Sequence, residues 1–210
     1  MVGDMTDPTT ELPVFPTDAP AIFRDPDAVA PLFAAVLDRL AVVVDVADAD
    51  LDRPTPCASF SVAELRRHVL AWLQFFAAAL TDPAAEGPRL DPESWQLPPG
   101  ESASGIVRAS GSAIAAAARA GAAEQLVVMS QARMAGDGVL AMALGEYLVH
   151  GWDLAVSTGR GDVDRSAFAD AAEPSLAFLR GMVRPEYRGP DTGFFDAEVA
   201  PPPDATAFEQ

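Results

Sequence analysis

The chain has 210 residues, half of them hydrophobic, which suits one domain, or one domain with a tail, and provides for a sizeable core. Thirty-one acidic residues stand against fourteen basic ones, giving a net charge of −17, and every basic residue is an arginine. That balance argues against nucleic acid and anionic membrane surfaces as partners, because both call for a basic footprint.

Residues 1–25 are rich in Pro and acidic side chains and read as an irregular arm. Their start lacks a basic stretch followed by an apolar run, so no secretory signal is expected. From Pro26 the pattern changes. Leu32, Phe33, Val36, Leu37, Leu40, Val43 and Val44 recur at spacings of three and four, which predicts an amphipathic helix of roughly five turns fading near Asp48. Asp52-Arg53-Pro54-Thr55-Pro56 is a break. Cys57 follows; it is the single cysteine, so no intrachain disulfide can form. It precedes a helix start, where a thiolate would be favoured, but a small buried residue is the plainer reading.

Ser61-Val62-Ala63-Glu64 has the form of a capping box and opens a second helix running to about Leu80. Its apolar face carries Leu65, Val69, Trp72, Phe75 and Phe76, with His68 among them, while Arg66 and Arg67 read as solvated. Residues 81–101 form a long Pro- and Gly-rich loop containing Trp95, and the Ala-rich stretch 102–120 a third helix. Residues 122–137 are ambiguous, although Leu126-Val127-Val128-Met129 could be extended. A fourth helix spans about Gly138 to Thr158 with Gly159 as its stop, and a fifth covers roughly 166–182. The stretch from Arg184 is again rich in Pro and Gly. No run of 18 apolar residues occurs, so no membrane span is expected and the cytoplasm is the expected compartment.

The fourth helix is apolar almost all round, as a buried helix is. Its polar exceptions, Glu146, His150, Asp153 and Ser157, step by four, three and four and line one stripe. A carboxylate and an imidazole buried together must be paired, neutralised or bound to a metal. Two readings follow. Glu146 and His150 are a hydrogen-bonded pair in the core, or they join His68 as a three-ligand set that leaves a zinc-like ion an open position. His68 and His150 are the only histidines, and both fall on inward helix faces. Asp153 lies within reach of His150 and could orient its ring, or could serve a structural hydrogen bond.

Two segments, Thr55-Pro56-Cys57-Ala58-Ser59-Phe60-Ser61-Val62 with Leu65-Arg66-Arg67-His68-Val69, and Glu146-Tyr147-Leu148-Val149-His150-Gly151-Trp152-Asp153-Leu154-Ala155, resemble the actinobacterial metal-binding branch of the DinB-like superfamily. Relatives of that branch include the N-terminal domain of mycothiol-dependent maleylpyruvate isomerase. The resemblance covers about residues 27–200 and implies an all-α fold: a DinB-like four-helix bundle with an additional short C-terminal helix and irregular termini. On that reading the bundle spans 26–183 and a Pro/Gly-rich tail spans 184–210. The resemblance implies that His68, Glu146 and His150 hold a divalent metal, zinc in most of the family, with Asp153 supporting them. It implies mycothiol or a similar low-molecular-weight thiol as co-substrate. Two departures stand out: Phe60 replaces a frequent Trp, and the tail ends where similar sequences continue into a leucine-containing helix. The isomerase's second domain has no counterpart here, which favours a stand-alone transferase.

The expected function is therefore a metal-dependent thiol S-transferase acting on a small-molecule electrophile. The alternatives are a metal-dependent hydrolase, a thiol-dependent isomerase, or a non-enzymatic protein that binds metal or small molecules. A homodimer is left open, and neither nucleic acid nor membrane is expected as a partner.

Overall fold

The computed structural model describes residues 12–85, 94–130, 132–160, 168–189, 197 and 199–206. Five α-helices dominate: α1 (Pro26–Val43), α2 (Val62–Thr81), α3 (Ala103–Arg119), α4 (Gly136–Ser157) and α5 (Ala169–Met182). The starts of the first three helices follow from side chains that take up orphan N–H groups. The Asp25 carboxylate accepts from the amides of Asp27 and Ala28, with Pro26 in the first turn of α1. Ser61 and Glu64 complete the capping box of α2, and Ser102 caps α3 by accepting from the Gly105 amide. The first helix stops at Val43, earlier than the apolar pattern suggested.

The all-α expectation needs correction. Strands β1 (Val14–Phe15), β2 (Leu126–Met129) and β3 (Ala132–Ala135) form a small sheet in the order β1-β3-β2. Strands β2 and β3 are an antiparallel hairpin, and Ser130 in its turn adopts a positive φ of 54°. Val127 faces Met134 across the pair, and both are buried, so this rung ties the sheet to the core. Strand β1 lies parallel to β3, so the N-terminal arm is not irregular throughout; it also contains a 3₁₀ turn at Ala21–Arg24.

Helix α1 packs against α3 and α4, α2 packs against the same two, and α5 covers α4. The shared core includes Phe23, Phe33, Leu40, Leu65, Phe76, Ile114, Leu140 and Phe178. Trp95, in the loop between α2 and α3, is also buried, and its indole N–H donates to Gln74 Oε1 at 2.6 Å. By length and composition alone, one described helix, α4, is long and apolar enough to cross a membrane. Most of it is instead covered by the other elements, and it carries buried Asp137 and Asp153.

The entry into α4 is close-packed. A Cβ on Gly136 would lie 1.8 Å from the Ala122 carbonyl oxygen, so only glycine fits there. One residue on, the Asp137 carboxylate receives Arg24 Nε at 2.7 Å, which joins the N-terminal arm to the start of the helix. This fixes the rotation of α4, and with it the direction of its polar stripe. The start of the fifth helix predicted at 166–167 lies outside the described residues.

Candidate metal centre

The polar stripe of α4 meets α2 at one place. Glu146 Oε2 lies 3.4 Å from His150 Nε2 on its own helix and 3.8 Å from His68 Nε2 on α2. The two imidazole rings are 5.3 Å apart, nearly perpendicular at 86°. One donor atom from each of the three residues can be chosen so that all lie within 4.8 Å of one another. Donors about 2.0–2.1 Å from a tetrahedral ion sit roughly 3.3–3.5 Å apart, so small side-chain rotations close this set on a divalent ion. One carboxylate and two imidazoles are also a donor set that such ions accept.

Exposure separates this cluster from a sealed core pair. The side chains of Glu146, His68 and His150 are 38%, 27% and 16% exposed, so an ion and a small ligand can reach them. Asp153 behind them is buried. Its Oδ2 lies 3.1 Å from His150 Nδ1, and the proton on that nitrogen donates to it. That hydrogen bond holds a proton on Nδ1, so Nε2, which faces Glu146, is the nitrogen that would offer its lone pair to an ion once it gives up its own proton. Ser157, the last residue of the stripe, donates its hydroxyl to the Asp153 carbonyl oxygen at 2.7 Å and stays within the helix.

The electrostatics of the side chains alone follow from this crowding. Burial works against the charged form of Glu146, but the neighbouring His150 and His68 imidazoles outweigh it and hold the carboxyl at about 2. Burial likewise disfavours charged His150, yet Asp153 and Glu146 together raise it to about 9. Tyr147, the next residue on α4, has its hydroxyl pushed well above the usual phenol range by burial, with Glu146 adding to the shift.

The other residues singled out in the sequence lie apart from this cluster. Cys57 is half-buried in the turn before α2, where its carbonyl accepts from the Phe60 amide. Arg67 acts on Glu64, and among the described residues no ion pair brings Arg66 or Arg67 to the three donors. Two residues that the sequence reading named without assigning them to the site lie beside it. The Phe60 ring lies 5.0 Å from His68 and the Trp72 ring 6.2 Å. The signal for Trp72 was its position one turn after His68, on the same helix face. Phe60 sits in a loop and gave no periodic signal.

The model of the mycothiol maleylpyruvate isomerase N-terminal domain matches residues 32–155, more than half the chain. The chain belongs to this DinB-like family. The match begins inside α1 and ends inside α4, and it includes His68, Glu146, His150 and Asp153. Two uncharacterized proteins of Mycobacterium tuberculosis, from strains CDC 1551 / Oshkosh and ATCC 25618 / H37Rv, are each 26% identical to it over 166 residues. That alignment covers 77% of this chain and 82% of each relative. No solved structure matches.

Proposed function

We propose that the protein is a metal-dependent thiol S-transferase built on a DinB-like four-helix arrangement, with α5 as an added helix. His68, Glu146 and His150 hold one divalent ion, zinc, and the co-substrate is a mycothiol-type thiol. The observation that carries this reading is the convergence of three accessible donors from two helices, backed by the buried Asp153. The family's link to mycothiol supplies the thiol.

Bound in the three-donor set, the ion would supply an open position at which a thiol ionises near neutral pH. The chain's own part is positional. His68 and His150 offer neutral Nε2 atoms, and Glu146 contributes the negative charge that balances the site. Asp153 holds the Nδ1 proton of His150 and so keeps that ring in its donor tautomer. Phe60 and Trp72 close one side of His68 and limit water there. The electrophile is a small molecule, and the compartment that fits a reduced low-molecular-weight thiol is the cytoplasm.

Elemental analysis of protein made in metal-replete medium, followed by conjugation assays with mycothiol and a panel of electrophiles, tests the proposal. About one equivalent of metal and turnover that requires the thiol support it. Turnover without thiol would assign a hydrolase instead, and a metal content near zero would end the metal reading altogether.

A further inference from the structure

The donors do not stand alone. On α2, Trp72 follows His68 by one turn, and its ring is braced by Phe75 at 5.1 Å and Phe76 at 5.6 Å. The two bracing rings are buried, whereas Trp72 is only half-buried. Phe60 is half-buried too, and hydrogen bonds tie its turn together. The Thr55 hydroxyl lies 2.8 Å from the Cys57 carbonyl oxygen and 2.9 Å from that of Phe60, and the Phe60 amide donates to the Cys57 carbonyl. From α4, half-buried Met142 sits one turn before Glu146 on the same face. Two aromatic rings, Phe60 and Trp72, therefore flank the His68 ring as an aromatic wall.

The Trp72 ring is already packed against Phe75 and Phe76, so stacking on it costs little ordering entropy. Charge points the same way. Glu146 and Asp153 would balance the charge of a bound divalent ion, a thiolate would add a further negative charge, and the whole chain carries −17. An anionic electrophile meets that field, whereas an uncharged flat ring avoids it and gains the contact with Phe60 and Trp72.

We propose, on the basis of the thiol-transfer reading, that the electrophile is a flat, uncharged aromatic compound and that Phe60 and Trp72 select it by stacking. With 1-chloro-2,4-dinitrobenzene as the probe, the thiol sulfur bonds to the ring carbon and the carbon–chlorine bond breaks. Chloride leaves with the bonding pair, and the thiol proton passes to solvent.

The test compares kcat/KM for that probe with kcat/KM for iodoacetamide, both with mycothiol and metal-loaded protein. The unsubstituted protein should prefer the aromatic probe over its uncatalysed reactivity ratio. Trp72→Leu and Phe60→Leu should each lower that preference about tenfold, ~1.4 kcal/mol, and Trp72→Phe should restore most of it. Equal losses for both electrophiles, or no preference at the outset, would overturn the proposal. Binding of unreactive 1,3-dinitrobenzene, followed by NMR, separates this inference from the one it rests on. If transfer fails but the probe still binds and loses affinity in Trp72→Leu, the wall stands and the transferase reading falls. If transfer proceeds and the probe does not bind, the wall falls alone.

Discussion

Replacing Asp153 tests whether the polar stripe of α4 serves a metal or only the helix. The carboxylate is buried, and its Oδ2 receives His150 Nδ1–H at 3.1 Å. Its backbone carbonyl already receives the Ser157 hydroxyl, a bond that a side-chain substitution leaves intact. The variants therefore perturb one contact. In Asp153→Ala, His150 loses its acceptor, its proton is shared between both nitrogens, and the ring is free to turn. Losing such a supporting group typically weakens metal affinity 10–100-fold, ~1.4–2.7 kcal/mol. Asp153→Asn keeps an oxygen of similar reach but loses the charge, and charge-assisted hydrogen bonds are about twice as strong as neutral ones. Its loss should fall at the lower end of that range. Zinc affinity measured against a chromophoric competitor gives the order unsubstituted, Asn, Ala, and thermal melts of the metal-free variants show whether the fold has been spared. Should both variants hold zinc as tightly as the unsubstituted protein, Asp153 would be a structural residue and His150 would need no partner to act as a ligand.

Four further outcomes are expected. His150→Ala should lose bound metal and turnover while circular dichroism stays helical, because the helices are held by their apolar faces; full metal content would contradict the ligand assignment. Metal-free protein should be most stable between about pH 4.5 and 6.5 in melts across pH. The raised His150 value stabilises the fold below 6.5 and is lost as pH climbs through about 9, whereas the lowered Glu146 value stabilises it above 4.5 and is lost as pH falls through about 2. Gly136→Ala should cost about 3 kcal/mol or more in denaturant unfolding, since its Cβ would lie 1.8 Å from the Ala122 carbonyl oxygen; a cost near zero would show that this backbone contact relaxes. Ser61→Ala should cost ~1 kcal/mol by removing the capping box of α2, measured the same way.

The candidate donors were legible because a buried helix tolerates few polar residues, so each one carries information. Glu146, His150 and Asp153 stand out on α4 against an apolar background, and the 3.6-residue period alone places them on one stripe. The capping box of α2 was equally local, and it set the register that carries His68 inward. What periodicity could not supply was adjacency: nothing in the spacing says that α2 abuts α4 at the turn where Glu146 sits. The sheet was legible only in part for the same reason: Leu126–Met129, read as a candidate extended segment, is strand β2, but nothing local pointed to its neighbours. Strand β1 has two residues in a Pro-rich arm, and its pairing with β3 spans more than a hundred residues of chain. Strand β3, Ala132-Arg133-Met134-Ala135, consists of helix-favouring residues held extended by partners on both sides.

That sheet bears on the site. Strand β3 runs directly into α4, and the next two residues, Gly136 and Asp137, are locked by Ala122 and Arg24. Glu146 and His150 lie two and a half to four turns further along the same rigid helix, so a rotation of its first turn would swing both away from His68. The elements least visible in the sequence thus set the angle at which its most visible residues meet. Damage at Gly136 should consequently appear in metal affinity as well as in stability, at a site far along the helix from the substitution.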